Sequence, residues 1–196
     1  MPMSVAAIIL AAGASRRLGQ PKQLLKYRGE TLLERALRLA GEAGAAPVLV
    51  VLGAQFETIR ATVSFNDAIT VYNEQWQQGL SSTIHAGIRA LAEHAPHATG
   101  ALLMGCDQPR LTASHLRALL VSFAVRTTPS IVFSSYAGAR GIPAVFPRGV
   151  FDHLQALEGD RGARSLLAQP VCPVIELPFD GGEVDIDQDA DLAHLE

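Results

Sequence analysis

Between Leu10 and Leu25 the sequence LAAGASRRLGQPKQLL places small residues ahead of Arg16, Arg17 and Lys22. Ala11, Ala12, Gly13 and Ala14 let backbone N–H groups approach a ligand closely, and Gly13 is free to adopt a positive φ. The arginines add planar, forked charge and the lysine a point charge, a combination suited to polyphosphate. The spacing is neither the GxGxxG of a dinucleotide fold nor the GxxxxGK[ST] of a P-loop. A basic surface loop after a strand is the alternative on this segment alone.

Three further segments carry chemistry. In GCDQP, Asp107 follows an apolar run, where a carboxylate can hold Mg²⁺ together with phosphate and water, or simply order the turn. Near the C-terminus Asp185 and Asp187 lie two apart and face one side of an extended chain, so one of them could join Asp107 on a metal. Asp187 also reads as a helix N-cap, with Asp189 and Asp191 in the first turn. In NEQWQQGLSS, Asn73, Glu74, Gly79, Ser81 and Ser82 sit where hydroxyls and free N–H groups can read a base edge or hold an anion. Plain capping, with Trp76 as a packing residue, is the competing reading.

Two more stretches, ARGIPAVF (139–146) and EGDRGARSLL (158–167), stand out. The second sets Asp160, Arg161 and Arg164 among Gly159 and Gly162, a cradle for a second phosphorylated substrate or a solvated turn. Six dispersed histidines without an HxxxH or HExxH pattern argue against zinc. Cys106 has no positive sequence neighbour to favour a thiolate and reads as a buried structural residue.

Short apolar runs at Val5–Leu10, Val48–Leu52, Ile69–Tyr72, Ala101–Met104 and Ile131–Phe133 alternate with helical periodicity, the sign of βαβ units and a parallel sheet. Leu33, Ala36, Leu37 and Ala40 form one helical stripe behind a Thr31–Glu34 capping box. Leu116, Leu119, Leu120 and Phe123 form another after Thr112. Ile84, Gly87, Ile88 and Leu91 form a third, with Ser81 or Ser82 as its N-cap. From Pro129 onward prolines shorten the elements, which suggests an inserted or appended substructure. Ligands of such sheets bind beyond the strands' carboxyl ends, here the loops after Leu10, Tyr72, Met104 and Phe133.

With 196 residues, 48% of them apolar, the chain can bury a full core as one domain, residues 1–196. A net charge of -3 lacks the basic excess of non-specific nucleic-acid binders. Five of the 16 basic residues nonetheless fall between Arg16 and Arg28, marking a local anion site. Two cysteines give no disulfide framework. No signal-like or membrane-spanning run is found, so a cytoplasmic location with no membrane partner is expected.

The ordered motifs resemble those of the molybdopterin-dinucleotide nucleotidyltransferases, most closely the molybdenum cofactor cytidylyltransferases, over nearly the whole chain. LAAGxSxRMGxPKxLL matches Leu10–Leu25 with Leu18 for Met. WxxGxSSSxxxG matches Trp76–Gly87 with Thr83 for the third Ser, and DQP matches Asp107–Pro109. GxPxxF appears as Gly141–Phe146, GDxGAR as Gly159–Arg164 and DID as Asp185–Asp187. Ile142 replaces the His of many relatives, and DTPED becomes Asp187-Gln188-Asp189-Ala190-Asp191.

The resemblance implies a Rossmann-like, mostly parallel sheet with helices on both faces, in a GT-A-like nucleotidyltransferase architecture. It implies that CMP passes from CTP to the terminal phosphate of molybdopterin and that pyrophosphate leaves. Under it Arg17, Lys22 and Asp107 are catalytic, with Arg17 and Lys22 on the phosphates. Leu10, Ala11, Ala12, Gly13, Ser15, Asn73, Gly79, Ser81 and Ser82 join them on the nucleotide. Asp107 and Asp187 hold Mg²⁺. Gly141, Pro143, Asp160, Arg161, Gly162 and Arg164 face the acceptor. In this family an LAAG turn goes with CTP, which Ala12 fits, and a molybdenum hydroxylase would be a transient partner. The alternatives are guanylyl transfer to the same cofactor, transfer to another phosphorylated small molecule such as a sugar phosphate, and a non-catalytic cofactor chaperone.

Overall fold

Alternate residues of the first strand, Val5–Ala11, belong to different helix layers. Ala7, Ile9 and Ala11 pack into one core and Ala6 and Ile8 into the other, as a period of two requires. A computed structural model describes residues 4–195. In chain order the elements are β1 (Val5–Ala11), the short strands β2 (Lys26–Tyr27) and β3 (Glu30–Thr31), α1 (Leu32–Ala43), β4 (Val48–Leu52), α2 (Phe56–Thr62) and β5 (Ile69–Tyr72). There follow α3 (Leu80–His94), β6 (Gly100–Met104), α4 (Ala113–Ala124), β7 (Ile131–Tyr136), β8 (Ala139–Pro147), α5 (Phe151–Gln155), α6 (Arg164–Ala168) and β9 (Val174–Pro178).

A seven-stranded sheet in the order β5-β4-β1-β6-β8-β7-β9 results, and β2 and β3 form a separate two-stranded ribbon. It is mostly parallel: β8 is antiparallel to both of its neighbours, whereas β1 is parallel to β4 and β6, β4 to β5, and β7 to β9. Helices cover both faces. Leu33, Ala36, Leu37 and Ala40 of α1 pack in one core with Ile59 of α2 and Leu116, Leu119 and Phe123 of α4. Ile84, Ile88 and Leu91 of α3 pack in the other with Leu154 of α5 and Leu167 of α6. Ile8, Ile9, Leu49 and Leu102 are fully buried, and each such side chain contributes about 1.5–3 kcal/mol through lost apolar surface.

The segment after Pro129 corrects the expectation of an inserted or appended substructure. β7, β8 and β9 complete the central sheet, with β8 lodged directly against β6. β7 also extends three residues beyond the expected Phe133, to Tyr136, across a register shift between Phe133 and Ser134.

Helix starts were partly foreseen. Thr31 accepts from Glu34 N at 3.1 Å while Glu34 Oε2 accepts from Thr31 N at 2.9 Å, the expected capping box. Thr112 caps α4 through His115 N. At α3 the expected Ser81 or Ser82 cap is corrected: Gly79 is the N-cap, at φ 97° and ψ -176°, and supplies no side-chain bond. Replacing the box hydroxyl, Thr31→Ala, is expected to lower stability by about 1 kcal/mol in urea denaturation, with unchanged circular dichroism.

Candidate active site

Three side chains from distant parts of the sequence meet beyond the carboxyl ends of β1 and β6. Lys22 Nζ lies 2.6 Å from Asp107 Oδ2 and 2.7 Å from Asp187 Oδ1. Burial pulls the ammonium's pKa down, but the Asp107 charge and the hydrogen bonds to Asp107 and Asp187 outweigh it, so Lys22 stays protonated well above its ordinary range.

Local backbone chemistry fixes each partner. Ser15, at φ 50°, turns the loop after β1, and its Oγ accepts from Lys22 N at 3.1 Å. Gln23 is buried beneath the loop, and its Nε2 donates to Ala11 O at 2.7 Å and Gly13 O at 3.0 Å. Gly13 does not take the anticipated positive φ; a Cβ there would meet open space, so its value is the room it leaves on the loop. Asp187 is held by its neighbours: fully buried Ile186 packs with Leu18 and Leu32, and Ile186 N donates to Asp107 O at 3.0 Å. The expectation that Asp187 is an N-cap is corrected, because Asp191 Oδ2 accepts from Asp187 N and Gln188 N, each at 2.9 Å. The Asp187 carboxylate is thereby left to Lys22.

Two clefts open on this cluster. The first, about 490 Å³, is walled by the loop from Leu10 to Arg16, by Lys22 and Gln23, by Trp76, Gly79 and Thr83, and by Asp107 and Asp160. The second, about 510 Å³, is lined by Gln108, Tyr136, Gly141, Gly162, Arg164, Glu183 and Asp185, among others. Leu10, Leu80 and Asp107 belong to both, so Asp107 stands at their junction.

Most of the nucleotide-facing candidates share the first cleft: Leu10, Ala11, Ala12, Gly13, Ser15, Lys22, Gly79 and Asp107 line it. Arg17 is exposed outside that lining, which Arg16 joins instead. Asn73, Ser81 and Ser82 are buried behind the wall. There Asn73 Nδ2 donates to Ser82 Oγ at 2.9 Å, Ser82 Oγ donates to Gly79 O at 2.8 Å, and Ser81 N donates to Gly159 O at 3.0 Å. Gly141, Gly162 and Arg164 line the second cleft, Asp160 lines the first, Arg161 is exposed outside both, and Pro143 is buried. Sequence reasoning did not single out Gln23, Thr83, Gln108 or Tyr136 as cleft residues.

The donor set suits a hard divalent cation. Asp107 and Asp187 converge on one cationic atom, and Mg²⁺ takes few protein oxygens, completing its shell with phosphate and water. No cluster of three or more His, Cys, Asp or Glu able to hold a metal occurs among the described residues, so a cation here would depend on oxygens from substrate and water. Asp185 lies in the second cleft, its carboxyl pushed above the ordinary range by burial and then by the charges of Asp187 and Asp107. Cys106 lines the first cleft, but burial pushes its thiol up to about 12, which excludes a thiolate near neutral pH, as its sequence context suggested.

Behind the second cleft, Ser134 Oγ donates to Pro143 O at 2.7 Å and lies 2.8 Å from His115 Nε2, whose ring stacks on Phe179 with centroids 4.5 Å apart. With the hydroxyl hydrogen on Pro143 O, the His115 ring donates to Ser134. Burial holds the His115 pKa below its ordinary 6.5. A depressed folded pKa stabilises the protein fully above the unfolded pKa, and that contribution is lost as pH falls from about 6.5 through the folded value. Melting temperature should therefore drop on acidification from pH 7.5 to 5, and less steeply in His115→Gln.

Gly79 joins the walls. A Cβ on it would lie 2.5 Å from Gly159 O and 2.6 Å from Asp160 Oδ1, at a φ few side chains tolerate. Gly79→Ala is expected to cost about 2 kcal/mol or more in urea denaturation, from strain and overlap together.

No helix among the described residues is long and apolar enough to cross a membrane. The chain is 36% identical over 171 residues to the nicotine blue oxidoreductase of Paenarthrobacter nicotinovorans, covering 84% of this chain and 82% of that protein. It is 35% identical over 112 residues to an Opitutus terrae protein named "Probable molybdenum cofactor guanylyltransferase", covering 57% of this chain and 52% of that one. The crystal structure of Rv0371c from Mycobacterium tuberculosis H37Rv superposes with a TM-score of 0.86 at 34% identity, over 100% of this chain and 98% of that one. The same mycobacterial protein has been solved in complex with manganese, at a TM-score of 0.80 and 34% identity over 98% of each chain. The family pattern described as a MobA-like NTP transferase domain matches residues 7–174, from inside β1 to the start of β9. With the loop after β1, the carboxylate after β6 and the sheet joining them all inside that match, the chain belongs to the MobA-like NTP transferase family.

Proposed function

We propose that this protein transfers CMP from CTP to the terminal phosphate of molybdopterin and releases pyrophosphate, with Mg²⁺ as its metal. The observation that carries the reading is the shared boundary of the two clefts at Asp107, beside Lys22 and Asp187. A triphosphate in the first cleft and a phosphate ester in the second would meet at that boundary. A phosphate oxygen of the acceptor attacks the α-phosphorus, and the bond from that phosphorus to the bridging oxygen breaks as pyrophosphate departs. Such an in-line displacement needs positioning and charge neutralisation, with no protein nucleophile.

The chain's own groups supply both. Lys22 neutralises the triphosphate, the loop after β1 offers its backbone to it, and Arg17 reaches the phosphates from outside the wall. Asp107 and Asp187 would hold the cation, which when bound adds positive charge at the phosphates. Gly141, Gly162 and Arg164 receive the acceptor, with Arg164 facing its phosphate and Arg161 at the rim. Ala12 is part of the first cleft's lining, and the LAAG turn it belongs to supports CTP over GTP. The Opitutus relative's name supports the molybdenum cofactor as acceptor class. The Paenarthrobacter relative bears an oxidoreductase's name, and in this chain the cleft thiol of Cys106 is held protonated.

Pyrophosphate release tests the reading. With molybdopterin and Mg²⁺, CTP should support turnover and GTP should not, and Asp107→Asn should lower kcat by about 10²-fold or more while circular dichroism still reports the native fold. Turnover with GTP alone would make the enzyme a guanylyltransferase. Bound cofactor with no nucleotide consumed would make it a carrier.

A further inference from the structure

A third cavity, about 450 Å³, adjoins the second cleft, and Tyr136, Ala137 and Glu183 line both. Ala137 and Glu183 are exposed, whereas Tyr136 is half-buried, so its ring is the body of the partition between the two spaces. The other boundary of the second cleft, shared with the first at Leu10, Leu80 and Asp107, has no residue in common with this one. A ligand that fills the second cleft with its phosphate at Asp107 therefore brings its remote end to Tyr136.

The chain holds that ring in one place. Tyr136 Oη donates to Ile142 O at 3.2 Å, and the ring meets Phe179 edge-on with centroids 6.0 Å apart. Two glycines make the slot it stands in. A Cβ on Gly182 would lie 2.5 Å from the ring's Cδ1, and a Cβ on Gly141 would overlap the hydroxyl oxygen. Neither glycine has a positive φ, so space for the ring, rather than backbone freedom, accounts for the missing side chain at both positions. A ring packed in this way does not swing aside without giving up its contacts, and a group pressed against it meets a fixed wall.

We propose that Tyr136 is a specificity-determining residue that sets the length of the second substrate. Its ring closes the second cleft against the third cavity, so the cleft accepts a phosphate ester that ends at the ring and rejects one carrying a further bulky group at the end remote from its phosphate. This rests on the reading of the second cleft as the acceptor site and states how far that acceptor can reach.

The test uses two fluorescent probes, 6-hydroxymethylpterin monophosphate and the same ester with a benzyl group on its 2-amino nitrogen, the end remote from the phosphate. Their affinities are measured on the full chain, on Tyr136→Val, whose β-branched side chain suits a strand, and on Tyr136→Phe, which keeps the ring. CTP affinity, a property of the first cleft, checks the fold, and Tyr136→Ala replaces Tyr136→Val under the same criterion if the latter fails that check. The wild type and Tyr136→Phe should bind the plain probe about tenfold or more tightly than the benzyl probe, and Tyr136→Val should bind the two within about threefold of each other. Equal binding of the two probes by the wild type, binding of neither, or an undiminished preference in Tyr136→Val overturns the proposal. A Tyr136 that merely braced β8 would give a variant weaker toward both probes with their ratio kept, which overturns it as well. Molybdopterin-dependent pyrophosphate release separates the two levels: its presence with the probes bound alike defeats only the Tyr136 assignment, and its absence defeats the acceptor reading and the proposal together.

Discussion

One ammonium between two carboxylates holds the site together. Lys22, Asp107 and Asp187 are far apart in sequence, and nothing local brings them together; each arrives on a loop whose course is fixed by something else. The loop after β1 is pinned by Gln23 and Ser15, the loop after β6 by the sheet, and the C-terminal segment by Ile186 against Leu18 and Leu32. The triad carries one net negative charge, so the site is prepared for more positive charge than Lys22 supplies. Removing one member of such a partly buried set leaves the others uncompensated, which makes the arrangement costly to lose and specific to the folded state.

The sheet explains why the loops converge. β1 is central, paired with β4 on one side and β6 on the other, so the chain leaves β1 at the crevice where successive connections diverge to opposite sides. Open parallel sheets bind ligands at that position. The antiparallel β8 beside β6 then carries Gly141 and Ile142 to the same end, and the loop from Gly159 to Arg164 closes over Gly79 and Leu80. One sheet edge thus forms two adjoining clefts, which a reaction between two phosphorylated partners requires.

Much of this was legible in the residues. A buried apolar run entering a small, basic turn located the first cleft, and an acid following another such run located Asp107. The Thr31–Glu34 box was readable because both of its bonds are local. What escaped depended on distant contacts. β8 contains Pro143 and Pro147, two of the prolines that suggested an inserted or appended substructure, yet its neighbours β6 and β7 hold it as a strand of the central sheet. Ser81 and Ser82 stand where caps usually stand, but Gly159 O and Asn73 had already claimed that turn. The contacts of Gln23, and of Gln108 within the DQP motif, could not be read locally, since they are made to carbonyls at Ala11 and Gly13 or at Ile142 and Gly182.

A crystal structure of the protein with CTP and manganese as the visible stand-in for magnesium tests the central claim most directly. The account predicts anomalous density for the metal at the carboxylates of Asp107 and Asp187, with the triphosphate along residues 10–22 and its α-phosphorus at the boundary of the two clefts. A metal bound away from both carboxylates, or a nucleotide seated elsewhere on the molecule, would contradict it.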